Sequence, residues 1–252
     1  MAVQVYFIGA GPGDLELLTI RAKNIIEKAD VIIYADSLIN PKVCSFAKEK
    51  AEIHRSASLN LEEITEIIVN AVKQNKIVAR LQSGDSSIYG AIQEQMSVLD
   101  KKGIEYEIIP GVSSLFAAAA ALKAELTIPE LSQTVIITRM EGKTPVPKLE
   151  RLRSLAGHQS TMAIFLSISL IEKVVTALLD GGYTVETPAA VVYKASWEDE
   201  LVARTSLKHL AEQVKKLGIK KQALILVGNF LSPNAKELRS KLYHEEFRHE
   251  FR

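Results

Sequence analysis

Residues 5–14 read Val5-Tyr6-Phe7-Ile8-Gly9-Ala10-Gly11-Pro12-Gly13-Asp14, VYFIGAGPGD, a short apolar run that breaks into glycines at alternating positions. A strand opening into such a turn begins many nucleotide-binding α/β units. The dinucleotide pattern G-x-G-x-x-G, started at Gly9 and Gly11, needs a third glycine at position 14, where the chain has Asp14. Pro12 also removes a backbone N–H from a turn that would have to aim donors at a pyrophosphate. Asp36 ends the second apolar run where a ribose-binding acid would sit, an agreement easily met by chance. Gly142-Lys143-Thr144 looks like the tail of a phosphate-binding loop, but the partner glycine position holds Ile137. Taken alone, the GAGPGD stretch needs no ligand, because a tight turn after a buried strand requires glycine for positive φ or close packing.

Composition sets the frame around that turn. A chain of 252 residues can build one large domain or two small ones, and two is the expectation. Hydrophobic residues at 47% and charged residues at 24% are those of an ordinary globular protein. No apolar run approaches the roughly 20 residues of a membrane helix. Met1 leads into a strand-like run without a secretory pattern, so the cytoplasm is the expected location. Cys44 is the only cysteine, which excludes a disulfide framework and a thiolate metal cluster within one chain. Net charge is +1, and the thinly spread aromatics do not alternate with basic residues, so neither nucleic acid nor a membrane is expected as a partner.

Short runs rich in valine and isoleucine recur between amphipathic segments: VQVYFI from Val3, VIIYA from Val31, IVARL from Ile77 and YEIIP from Tyr106. Runs of this kind suit strands buried on both faces of a parallel sheet. Between Thr19 and Ala29, Ala22, Ile25, Ile26 and Ala29 repeat at helical spacing, with Thr19 placed as N-cap. Leu61 to Asn75 and Ile88 to Lys101 repeat the pattern. A second series follows the alanine-rich LFAAAAALKA from Leu115: TVIITR, TMAIFLS, AAVVYK, LVART and ALILVG. AAVVYK and LVART are joined by ASWEDE, too short for a crossover helix, so this pair should be antiparallel and the second sheet mixed. The expected domains are an N-terminal α/β domain over 1–112 with a mainly parallel sheet and a C-terminal α/β domain over 113–252 with a mixed sheet. The charged segment from Asn234 is expected to be an exposed or frayed helix.

Two further glycine turns follow strands in the same way, LQSGDSSIYG from Leu81 and IPGVSS from Ile109. In a parallel sheet, loops at the carboxyl ends of strands converge on one edge, where ligands bind. With these residues in order, the sequence resembles the tetrapyrrole (corrin and sirohaem type) methyltransferases that use S-adenosylmethionine. Their G-A-G-P-G-D turn, a G-D-P-x-x-Y-G-like turn and P-G-[VI]-[ST]-[SA] all have counterparts over roughly residues 3–230. IYADSL, YGAIQEQM, AELTIPELSQTVIITRMEGKTPVP and VVYKASWEDE are similar to the branch that methylates carbon 11 of precorrin-4, with or without cobalt. Ser86 departs from the pattern, standing where the family usually has proline.

The resemblance implies two α/β domains enclosing S-adenosylmethionine in the cleft between them, and a homodimer. It implies cofactor contacts at Pro12, Ser83, Gly84, Asp85, Ile88, Ser113, Ser114, Leu166, Ala195 and Ala223, many through backbone groups. A methyl group on a sulfonium is already activated, so in-line positioning, worth about 7–11 kcal/mol, is the main task. No catalytic triad or metal ligand set is required, and His54, His158, His209, His244 and His249 form no ligand spacing. A tetrapyrrole with several carboxylates calls for local basic groups: Arg139, Lys143 and Lys194 are the candidates, with Arg55 and Arg80 behind them. Asp36 and Asp85 are candidates for proton removal, with Asp85 expected to shape the cofactor loop and Asp36 to lie near substrate. Three alternatives stay open: a methylase of the same superfamily acting at another ring position, on a diphthamide precursor or on ribosomal RNA; a nicotinamide-binding oxidoreductase; and a non-catalytic binding protein that keeps the cleft.

Overall fold

The computed structural model describes residues 3–238 and Arg248. By its internal contacts the chain divides into Met1–Ala117 with Ser196–Glu198, and Ala118–Ala195 with Asp199–Arg252.

The first unit alternates strands and helices: β1 (Val5–Gly9), α1 (Ile20–Lys28), β2 (Val31–Tyr34), β3 (Glu52–Arg55), α2 (Leu61–Lys73), β4 (Val78–Gln82), α3 (Ile92–Lys101) and β5 (Tyr106–Ile109), with α4 (Ser114–Ala121) following. The sheet order is β3-β2-β4-β1-β5, and every pairing is parallel. β2 is buried throughout, as its unbroken apolar run requires, and β4 is buried throughout although it carries Arg80 and Gln82. Ile8, Ile32 and Leu81 face one side with Ala22 and Ile26 of α1. Phe7, Val31 and Ile33 face the other, against Ile64 and Ile68 of α2 and Leu99 of α3. Each such fully buried side chain contributes about 1.5–3 kcal/mol. Thr19 caps α1, its hydroxyl accepting from the Ala22 N–H at 3.2 Å, and Asn60 and Glu63 form a capping box on α2.

Two local expectations change. The short β3 carries no apolar run: it is an edge strand with Glu52, Ile53 and Arg55 exposed, held by backbone pairing to β2. Position at the sheet edge relieves it of the need for hydrophobic residues. The helix expected from Ile88 begins at Ile92, because Tyr89 and Ala91 adopt left-handed backbone (φ 55° and 50°). Gly90 packs so tightly on the carbonyl of Ser86 that a Cβ there would collide with it.

The second unit adds β6 (Val135–Arg139), α5 (Leu152–Ala156), β7 (Thr161–Phe165), α6 (Ile171–Asp180), β8 (Pro188–Tyr193), β9 (Leu201–Ser206), α7 (Leu207–Lys216) and β10 (Ala223–Val227). Its sheet order is β6-β7-β10-β8-β9, mixed: β6 and β7 are parallel, while β10 runs antiparallel to β7 and β8. β8 and β9 pair antiparallel from Pro188↔Ser206 to Tyr193↔Leu201, as their short link predicts. Leu152, Val174, Leu178, Leu207, Leu210 and Val214 pack helices α5 to α7 over Met162, Ile164, Val191 and Ile225 of the sheet. No helix among the described residues is long and apolar enough to cross a membrane. The chain beyond Leu238, apart from Arg248, lies outside the described residues, so the charged-helix expectation for it has no counterpart here. Pro233–Lys236, at its start, is a short 3-10 turn.

Candidate active site at the strand ends

Because the first sheet is all parallel, the turns after β1, β4 and β5 share one edge. There the backbones meet with no side chain between them. The Gly11 N–H donates to the Gly84 carbonyl at 3.2 Å and the Gly84 N–H to the Gly11 carbonyl at 2.8 Å, both residues with positive φ (73° and 65°). A Cβ on Gly9 would sit 2.6 Å from Gly111 Cα and 2.8 Å from the Gly84 oxygen. One on Gly111 would sit 2.6 Å from Gly9 Cα. Only glycine permits this approach. The three motifs spaced along the sequence are therefore one packed cluster.

Asp85 locks the cluster. One carboxylate oxygen accepts the Gly111 N–H at 2.8 Å, and the other accepts the Ser87 N–H at 2.9 Å and the Ser87 hydroxyl. Burial alone would raise its pKa, but these bonds from the Ser87 hydroxyl and the two backbone amides outweigh it and hold the carboxyl below the usual range. Ile88 closes the same turn, its N–H donating to the Asp85 carbonyl at 3.4 Å. Ser113 is buried and its hydroxyl accepts from the Leu115 N–H at 3.3 Å at the start of α4. Ser114 opens that helix within reach of Gly84: a Cβ there would contact the Ser114 nitrogen at 3.4 Å. Ser83 is exposed beside them. Two buried polar atoms at this end of the sheet, Gln82 Nε2 and Ser86 Oγ, have no hydrogen-bond partner. Pro12, Ser83, Gly84, Asp85, Ile88, Ser113 and Ser114 thus belong to one edge.

Three N–H groups of the GAGPGD turn that an anion cradle would need free are already bonded. The Ala10 N–H is bonded to the Gln82 carbonyl (2.8 Å), the Gly11 N–H to Gly84, and the Asp14 N–H to the Ser196 hydroxyl at 3.0 Å; Pro12 has none. Asp14, which breaks the dinucleotide pattern, caps the following 3-10 turn by accepting the Glu16 N–H at 2.9 Å. Trp197 closes the outer side. Its indole N–H donates to the Pro12 carbonyl at 2.8 Å, and its ring fills the space that a Cβ on Gly13 would need. Asn40 holds the Gly13 carbonyl at 3.0 Å.

Asp36 stands apart from that cluster: it is exposed after β2 and accepts the Ala57 N–H at 3.3 Å, the pattern of a loop-bracing carboxylate. Arg80 is 5% exposed and faces inward, its guanidinium donating to Gln95, Ser56 and the carbonyls of Ile33 and Leu81. Burial pulls its pKa down to about 10. It ties strands together and is not displayed to a ligand. Arg55, at the end of β3, is exposed and bonds to Tyr34.

In the second unit, Arg139, Leu166, Lys194 with Ala195, and Ala223 all gather at one edge of the sheet. β6 and β7 end there in parallel, β8 ends beside them, and antiparallel β10 begins there, Ala223 pairing with Tyr193. Leu166 is 68% exposed with φ 53°. Buried Ser167 holds it there, its hydroxyl donating to the Phe165 carbonyl (2.6 Å) and accepting the Met140 N–H (2.7 Å). A bulky residue in left-handed backbone, displayed to solvent, is strain of the kind found at ligand sites. Arg139 braces its own loop through the carbonyls of Thr144 (3.2 Å) and Pro145 (2.8 Å), and Lys143 is exposed on that loop. Lys194 pairs with Asp199 at 2.6 Å, and that hydrogen bond holds its ammonium above the usual range. Ala195 is buried, 6% exposed.

Trp197, within VVYKASWEDE, has a role at the GAGPGD turn that the motif match alone does not assign. The sequence marks it only by composition, as the chain's single tryptophan in a polar hairpin link, and does not point to its partners.

Comparison with known proteins shows the family to which this fold belongs. An X-ray structure of a cobalamin biosynthetic enzyme, a cobalt precorrin-4 methyltransferase, superposes with a TM-score of 0.89 at 47% identity, covering 91% of this chain and 96% of that one. A uroporphyrin-III C-methyl transferase from Thermus thermophilus, complexed with S-adenyl homocysteine, superposes with a TM-score of 0.76 at 26% identity over 90% of this chain and 98% of that one. A cobalt-precorrin-4 C(11)-methyltransferase of Methanocaldococcus jannaschii is 61% identical over 249 residues, 99% of this chain and 96% of that protein. The sequence model of the Tetrapyrrole (Corrin/Porphyrin) Methylases matches residues 4–211, and the chain belongs to that family.

Proposed function

We propose that this protein is an S-adenosylmethionine-dependent C-methyltransferase that methylates carbon 11 of precorrin-4, in its cobalt form or metal-free, during cobalamin biosynthesis. The observation that carries the reading is the glycine-packed turn at the carboxyl edge of the parallel sheet, where the N–H groups of Ala10, Gly11, Gly84 and Asp14 are already bonded within the protein. Such a wall suits a ligand without phosphates, approached through small residues and backbone. The relatives named above support the substrate: a precorrin-4 methyltransferase aligns along nearly the whole chain.

When bound, S-adenosylmethionine supplies an activated methyl group. The donor set fits it: close-packed glycines at Gly9, Gly84 and Gly111, the exposed hydroxyl of Ser83, and the unpartnered Gln82 Nε2 and Ser86 Oγ close by in the chain. We assign its contacts to Pro12, Ser83, Gly84, Asp85, Ile88, Ser113 and Ser114 in the first unit and to Leu166, Ala195 and Ala223 in the second. Asp85 acts by fixing this loop to Gly111. Arg139 and Lys143 answer the substrate carboxylates; Lys194 joins them when Asp199 releases it. Asp36 is the remaining candidate for proton removal at the substrate. The macrocycle, held by basic groups and aligned with the methyl group, needs orientation more than acid–base help. A homodimer, as the family resemblance implies, in the cytoplasm, as the start of the sequence suggests, completes the reading.

Titration calorimetry tests the donor. Saturable binding of S-adenosylmethionine or S-adenosylhomocysteine, with no saturable binding of nicotinamide dinucleotide, is expected. Absence of the first refutes the assignment, and presence of the second restores the oxidoreductase alternative.

A further inference from the structure

Pro12 cannot donate a hydrogen bond, so its carbonyl is its one backbone polar group, and Trp197 takes it at 2.8 Å. The indole ring covers Gly13, Ser196 takes the Asp14 N–H at 3.0 Å, and Glu198 pairs with Lys42. Three consecutive residues thus clamp three consecutive residues of the GAGPGD turn and the segment behind it. Ser196 itself sits at φ 68°, a conformation costly for a residue with a side chain and sustained only where surrounding contacts fix it. This strap lies between β8 and β9, far from the turn in sequence, and is counted with the first unit by its contacts. The ring meets the turn at Pro12 and Gly13.

We propose that Trp197 is a positioning residue for the donor-binding wall: by holding the carbonyl of Pro12 and covering Gly13 it fixes the proline ring that faces the methyl donor. This rests on the reading of that edge as a S-adenosylmethionine site. Trp197 touches the wall and not the donor, so its loss should act on affinity and on alignment together, with the fold retained.

The test uses the full-length protein and S-adenosylhomocysteine. Because Trp197 is the only tryptophan, its emission reports on this contact alone, and saturating the wild type should shift it with the midpoint found by calorimetry. Trp197→Phe keeps a ring over Gly13 but loses the N–H, and should weaken binding by about two- to tenfold, the worth of one hydrogen bond. Trp197→Ala should weaken it further, lower kcat for methyl transfer, and speed amide hydrogen exchange in residues 9–14 selectively. Ser196→Ala, which leaves the indole in place, should free the Asp14 amide with a smaller loss of affinity, and serves if Trp197→Ala does not fold. If the wild type binds and Trp197→Phe and Ser196→Ala bind equally well with unchanged exchange in residues 9–14, the positioning role is refuted. If the wild type itself shows no binding, the donor assignment has failed and this inference falls with it.

Discussion

Replacing Gly111 by alanine attacks the packed cluster at its centre. The new Cβ would lie 2.6 Å from Gly9 Cα and 2.7 Å from the Gly9 carbonyl carbon, against ordinary carbon contacts of about 3.5–4.0 Å. The obstacles are backbone on strands of one sheet, so no side chain can swing away. Overpacking of this kind costs about 1–3 kcal/mol. Displacing the Gly111 N–H also breaks its 2.8 Å bond to the Asp85 carboxylate, a charge-assisted bond worth about 1.5–3 kcal/mol. Together these predict about 2.5–6 kcal/mol, a large share of a typical domain's stability. Urea unfolding followed by circular dichroism should show a lower midpoint for Gly111→Ala. The control is Gly142→Ala, whose Cβ meets only Leu170 Cδ1 at an ordinary 3.5 Å and should fall within about 0.5 kcal/mol of wild type. A Gly111→Ala protein as stable as that control would refute the claim that three glycine backbones are in contact.

Asp85→Asn should cost about 1–3 kcal/mol at neutral pH through its bonds to Gly111 and Ser87. Since the folded carboxyl titrates below its unfolded value, this contribution is complete above the ordinary carboxylate range and disappears as pH falls through the folded pKa, so the two proteins should converge in acid; a gap that stays constant down to pH 2 would contradict it. Arg80→Ala, which leaves a cavity beside Gln95 and Ser56, should lose about 2–5 kcal/mol by denaturant titration. Lys215→Ala removes an ion pair with Glu172 in which both side chains are more than 60% exposed, and its unfolding midpoint should stay close to wild type. Asn60→Ala, by breaking the capping box on α2, should cost about 1 kcal/mol in the same titration.

What the sequence made legible follows from where physical chemistry acts locally. Buried strands such as VIIY announce themselves because both faces must be apolar, and Thr19 as a cap because an N–H must be satisfied within three residues. β3 was silent because an exposed edge strand is held by backbone bonds that any side chains allow. The start of α3 was misplaced because left-handed Tyr89 and Ala91 are set by Gly90 packing on Ser86, an effect with no periodic signature. At the site, motif spacing pointed to the glycine turns, but their contact with each other exists only once β1, β4 and β5 are aligned. Arg80 is a basic candidate for substrate carboxylates by residue type alone, but its strand is buried along its whole length. Trp197 was hidden for the converse reason: its partners at Pro12 and Gly13 lie 185 residues away for the hydrogen bond, and no local pattern links them.

The central claim is methyl transfer to one carbon of one macrocycle. Incubating the purified protein with precorrin-4 or its cobalt form and S-adenosylmethionine carrying an isotope-labelled methyl group, then locating the label by nuclear magnetic resonance, measures it directly. A single labelled methyl on carbon 11, with one S-adenosylhomocysteine formed per methyl transferred, is the predicted result; label on another ring carbon, or none on either substrate while the protein binds the donor, would contradict it.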